Sequence, residues 1–238
     1  MNLYESKYTA AEFETAIKAV LDPYGEGKKA EYDRFWDAYQ EKGMRQSYGD
    51  AFAGYGWSNE TFKPKYDIVP VGDRTANLFY GTGISGSLPE ILNGLGVRLD
   101  CKDMRNASNM FHNSEGITEI GELNLQSATN VNAAFASTQV LQRIEKLIIS
   151  DTGTLTFSST FSGARALSYI RFEGVIGRDI SFSASGLLTN ESAQSIIDHL
   201  KDLTGQTAQT LTFHATVGGN LTAAQKAAIT AKNWTLVY

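Results

Sequence analysis

The sequence predicts an α/β protein built as a solenoid. Parallel strands, one per irregular coil, would follow a helical N-terminal region and precede an α/β C-terminal cap. Three observations predict this. Phenylalanines 79, 111, 135 and 161 are each followed by apolar residues at recurring offsets. The chain holds 22 glycines but only 4 prolines, with Ser, Thr, Asn and Ala crowded between large apolar residues, as stacked turns require. Strong helical periodicity falls at the two ends, outside this stretch.

Residues 1–66 form the first region. Thr9-Ala10-Ala11-Glu12 is a capping box, in which a hydroxyl and a carboxylate satisfy the free N–H groups of a helix start. Phe13, Ile17, Val20 and Leu21 follow at helical spacing, and Pro23 ends the run. A second helix is expected over 28–42, with Gly43 behind it. Its stripe of Tyr32, Phe35, Trp36 and Tyr39 has the i, i+3, i+4, i+7 spacing of one face. Such a stripe packs on a core far more often than it grips a ligand. "AFAGYGWSNETFKPKYDIVP" is irregular, aromatic and Gly-rich, and reads as a packed connector.

Residues 67–188 carry the repeat. From Phe111, apolar residues fall at +6 (Ile117), +9 (Ile120), +12 (Leu123) and +14 (Leu125). From Phe135 the same offsets give Leu141, Ile144, Leu147 and Ile149. From Phe161 they give Leu167 and Ile170, after which Phe172 falls at +11, one residue short. Phe79 begins a looser copy, extended by a helical insert around 88–95. The +3 position is always small: Thr82, Ser114, Thr138, Ala164. A unit of about 24–26 residues cannot bury its own apolar face and must stack on its neighbours. Strands are expected at 122–125, 146–149 and 171–175, with alternate residues inward. The four phenylalanines would form an internal ladder.

Residues 189–238 change pattern again. "TNESAQSIIDHLKDL" places Ile196, Ile197, Leu200 and Leu203 at helical spacing, and "QTLTFHA" alternates as a strand. Thr222-Ala223-Ala224-Gln225 is a second capping box, opening a short helix, and "NWTLVY" closes as a strand. This helix–strand–helix–strand element is the cap that a stack of repeats needs over its last coil.

"AFASTQVLQRI" and "TFSGARALSYIRF" resemble the BspA-type leucine-rich repeat, with consensus A-F-x-x-C-x-x-L-x-x-I-x-I; Thr, Ser or Ala stands at the small Cys position. The resemblance implies a leucine-rich-repeat solenoid. The segments "YDRFWDAYQEKGMRQSYGDAFAGYGWSNETFKPKYDIVP" and "LTFHATVGGNLTAAQKAAITAKNWTLVY" resemble proteins encoded by phages and prophages of gut Firmicutes. They imply a non-enzymatic virion protein, tail-associated, with host-surface contact. Its partners would be other virion proteins or a host-surface protein or glycan, and its final place the phage tail after cytoplasmic synthesis. A bacterial leucine-rich-repeat interaction or adhesion module is the other reading. The resemblance carries over no catalytic residues.

The chemical candidates are few. Net charge is -5 and no dense Lys/Arg run occurs, which argues against nucleic acid. A single cysteine, Cys101, allows no internal disulfide. His112, His199 and His214 are far apart without ligand spacing, so neither metal nor cofactor is expected. "MNLYESKYTAAEFE" has no basic-then-apolar pattern, so no signal peptide is expected, and no apolar run reaches membrane-span length. Ser150-Asp151-Thr152-Gly153-Thr154 mimics the Asp-Thr-Gly of aspartic proteases, but the chain has no second copy. It also mimics a phosphotransfer loop, yet Ser150 stands where the nucleophile would be. The repeat register makes it a turn between coils. Gly81-Thr82-Gly83-Ile84-Ser85-Gly86 matches GxGxxG but lacks the strand–turn–helix context of a dinucleotide site. What remains is the outward face of the strands. The alignment puts Glu122, Lys146 and Arg171 in one row and Asn124, Ile148 and Glu173 in the next. These six are the candidate binding residues; the plain alternative is a solvated sheet face with cross-strand charge pairing.

Overall fold

The structure, a computed structural model, describes residues 52–54, 56–64, 67–70, 72 and 75–238. The two helices expected before residue 43, with their aromatic stripe, lie outside the described residues. The described chain is α/β with parallel sheets. β1 (Gly86–Ser87), β2 (Ile117–Asn124), β3 (Arg143–Ile148) and β4 (Tyr169–Glu173) form a four-stranded parallel sheet in chain order. β5 (Ile180–Phe182), β6 (Gln209–Phe213) and β7 (Trp234–Val237) form a second, also parallel and in chain order. Four helices accompany them among the described residues: α1 (Leu88–Leu95) after β1, α2 (Asn190–Asp198) between β5 and β6, and α3 (Ala215–Asn220) and α4 (Ala223–Ala231) between β6 and β7.

Local signals account for the helix ends. Ser87 caps α1 by accepting the Glu90 N–H, a proline lies in the first turn, and Gly96 closes the helix at φ 69°. This is the expected insert. Thr222 and Gln225 form the expected reciprocal capping box of α4.

The core is organised on a column of phenylalanines. Phe79, Phe111, Phe135 and Phe161 stack nearly parallel, with successive ring centroids 5.2, 5.8 and 5.4 Å apart. The column is longer than the four rings expected. Phe52 extends it at one end at 5.4 Å; Phe182 and Phe213 extend it at the other, at 4.6 and 6.1 Å. The described residues of this segment form no helix or strand, as a packed connector would, yet Phe52 takes the position of a further anchor, which was not anticipated. Its N–H donates to Leu78 and that of Gly54 to Tyr80. The same bonds recur down the stack. From the Phe79 unit through the Phe135 unit, N–H groups at -2, 0 and +2 about one phenylalanine donate to carbonyls at -3, -1 and +1 about the next, as in Asn109 to Asn132, Phe111 to Ala134 and Asn113 to Ala136.

Left-handed residues flank each anchor. Asn77, Asn109, Ala133 and Ser159 stand at -2 with φ between 52° and 61°, and Gly81, Asn113, Ser137 and Gly163 at +2 with φ between 57° and 75°. They turn the chain without withdrawing its donors from the next unit. At Ala133, Ser137 and Ser159 this conformation costs about 1–2 kcal/mol each, which the stack must offset. The small +3 residues, all essentially buried, leave room for the next unit. The hydroxyls of Ser114 and Thr138 donate to the Phe79 and Phe135 carbonyls at 2.6 and 2.7 Å.

The strands begin earlier than expected, and strict inward alternation is corrected. In β2 the buried residues are Ile117, Ile120 and Leu123, with two outward residues between each pair. In β3 they are Ile144 and Leu147, leaving Glu145 and Lys146 both outward. β4 has only Arg171 between buried Ile170 and Phe172, so pairing shifts between Ile144 and Leu147. The unit one residue short in sequence is thus a bulge in space: two residues of β3 oppose one of β4.

The open edge of β4 is closed by side chains. Ser192 and Ser195 of α2 accept the N–H groups of Ile170 and Phe172, both at 2.9 Å, where a further strand would have accepted them. Ser192 and Ile170 are both buried. Ser192→Ala would strand the Ile170 N–H, so a loss of about 1–3 kcal/mol is expected. Urea unfolding would show it as a lower midpoint with an unchanged slope; an unchanged midpoint would mean that the edge needs no cap.

Candidate functional site

The outward face of the first sheet is built by residues between the buried positions of β2, β3 and β4. Glu122 lies opposite Lys146, and Asn124 opposite Ile148, which lies opposite Glu173. Five of the six sequence-selected residues thus fall in their expected rows. Arg171 stands at the bulge, facing both Glu145 and Lys146. Glu122, Arg171 and Glu173 are exposed, and Asn124, Lys146 and Ile148 half-buried.

Charge pairing crosses the strands. The Lys146 ammonium lies 2.9 Å from a Glu122 oxygen and 3.4 Å from one of Glu173. Hydrogen bonding to Glu122, with Glu173 adding to it, holds that ammonium above its ordinary range. Asn124 turns back on its own strand end, accepting the Gln126 N–H at 3.0 Å.

A second row lies toward the strand starts. Glu119, Arg143 and Tyr169 are in register across β2, β3 and β4. The Arg143 guanidinium lies 3.7 Å above the Tyr169 ring and forms an ion pair with Glu145; Glu119 is 3.8 Å away. The Tyr169 hydroxyl donates to Glu191 of α2 at 3.1 Å. Sequence reasoning missed this row because it started the strands too late. The signal was present: all three residues stand at +8 from their anchors.

The face has built borders. On the β2 side, a Cβ added at Gly121 would fall 2.8 Å from the Pro89 ring, so α1 is seated directly on that glycine. On the β4 side, Glu191 carries the network onto α2. Exposed ion pairs of this kind contribute about 0–1 kcal/mol each.

The remaining motifs are structural in geometry. Asp151 is exposed on a turn whose hydroxyls bond one another, Ser150 to Thr152 at 2.9 Å and Thr152 to Thr154 at 2.8 Å. Gly153 is buried at φ 66°, and a Cβ there would press on Lys201 and Val175 at 3.1 Å. Gly81–Gly86 runs into β1 instead of following a strand, and Gly81 serves the stack as a left-handed +2 residue. His112 shares a hydrogen bond of 3.2 Å with Asn109 and meets the Tyr80 ring edge-on at 5.2 Å. Cys101 is fully buried, and burial pushes its thiol up, away from the reactive thiolate. Among the described residues, no group of three or more His, Cys, Asp or Glu could hold a metal ion, and no helix is long and apolar enough to cross a membrane. No family model, curated protein or solved structure matches the chain.

Proposed function

We propose that the chain is a BspA-type leucine-rich-repeat solenoid that works without catalysis, as a tail-associated virion protein of a phage or prophage. In this reading the outward face around Glu122, Lys146, Arg171 and Glu173 docks another virion protein or a host-surface molecule. The observation that carries it is the repeated unit. One parallel strand per unit, one stacked phenylalanine and one recurring set of inter-unit hydrogen bonds agree with the consensus that the sequence resembles. Repeats of this kind serve recognition by presenting rows of outward side chains. The flanking segments supply the phage assignment.

Peptide mass spectrometry on purified particles induced from the source strain tests it. The chain is expected at stoichiometry near that of known tail proteins. Recovery from the cell lysate alone would overturn the virion reading and leave a protein-interaction module.

A further inference from the structure

A wide, open cleft of about 800 Å³ lies beside β5 and β6, and none of its lining residues belongs to the strand face. Arg165, four residues beyond the anchor Phe161, and His214, which follows β6 and caps α3, both line it. Ser183 and Thr216 supply hydroxyls, and Ala184 and Leu187 supply apolar surface. No carboxylate lines it, in a chain with 26 acidic and 21 basic residues.

Three features suggest a ligand. Arg165 is exposed and, among the described residues, has neither an ion pair nor a side-chain hydrogen bond, unlike Arg98 and Arg143. Its guanidinium fork is free for a carboxylate. The His214 ring is fixed: its Nδ1 accepts the Thr216 N–H at 3.2 Å, which leaves the proton of the neutral ring on Nε2 as a donor. The ring also lies tightly against Gly186, where a Cβ would come 3.0 Å from its Cε1 and Nδ1. Leu187 is 63% exposed, more than any other large hydrophobic side chain among the described residues.

We propose that this cleft binds a saccharide bearing a carboxylate, such as a uronic acid. Arg165 pairs with the carboxylate. The His214 Nε2–H and the hydroxyls of Ser183 and Thr216 meet ring hydroxyls, and Leu187 covers the apolar face of the ring. A free phosphate would use the cation but not the Leu187 platform. The proposal does not rest on the virion reading, because the cleft shares no residue with the strand face.

NMR titration of the isotope-labelled full chain with sodium glucuronate tests it, with glucose and sodium acetate as controls. Glucuronate is expected to shift the amides of Gly186, Leu187 and Thr216 at millimolar concentration, well beyond either control. Arg165→Ala should weaken binding by about tenfold or more, and Leu187→Ser should weaken it less, with amide shifts far from the cleft unchanged in both. No shift at the cleft, an equal response to acetate or glucose, or full affinity in Arg165→Ala would each overturn the proposal.

Discussion

Phe135→Ala is expected to lower stability by about 3–5 kcal/mol, a large part of the total of a typical domain. The ring is completely buried between Phe111 at 5.8 Å and Phe161 at 5.4 Å. Its removal loses the transfer energy of the side chain and leaves a hole that neighbours held by their own hydrogen bonds cannot fill. The Phe135 N–H to Thr160 and Phe111 N–H to Ala134 bonds fix the spacing of adjacent units, so the column cannot close by sliding. Phe135→Leu keeps much of the volume and should cost clearly less. Urea unfolding followed by circular dichroism measures both. A loss below about 1 kcal/mol for alanine would be far outside the range for such a ring, and would mean that the column does not carry the fold.

Gly174→Ala should cost at least about 3 kcal/mol, adding a steric clash to backbone strain. Gly174 follows β4 at φ 98°, and a Cβ there would collide with the Ile149 carbonyl oxygen. That oxygen belongs to the main chain after β3, so relief requires moving one strand end from the other. Gly205→Ala is the control: φ is 76°, but nothing lies within 4 Å of the added carbon. It should lose only about 1–2 kcal/mol from the left-handed backbone. Equal losses in the two variants would show that conformation alone, not the close approach at Ile149, makes Gly174 necessary.

The repeat was legible because burial imposes itself on residue type. A position facing the phenylalanine column must be apolar or small whatever its neighbours do, so the +6, +9 and +12 residues and the small +3 residues could be read directly. Of the cap helices, α4 was legible through its capping box, which joins two side chains three residues apart, and α2 through the spacing of its apolar residues, whereas the short α3 carries neither signal and was not anticipated. The left-handed residues were hidden. Ala133 favours helix and Ser137 favours nothing strongly, yet inter-unit hydrogen bonding places both at positive φ. Phe52 was hidden because its ring and the N–H groups of Phe52 and Gly54 follow the pattern, while the apolar residues expected at later offsets do not, and the aromatic residues around it suggested a packed connector. Of the candidate face, the rows at the strand ends were legible and the Glu119–Arg143–Tyr169 row was not. The outward residues carry no periodic constraint of their own; they become visible only once the strand start is placed.

The two serines on the edge of β4 decide where such a chain can grow. Between β2 and β3, or between β3 and β4, one more unit of matching length would find donors and acceptors on both sides, and duplication there adds length at little disruption. Beyond β4 it would have to evict α2, whose Ser192 and Ser195 already hold the N–H groups that a newcomer needs. A further strand is therefore expected to be accommodated between interior units and not against the free edge of β4. A longer or shorter form of the sheet should differ by interior units, with α2 and its two hydroxyls left in place.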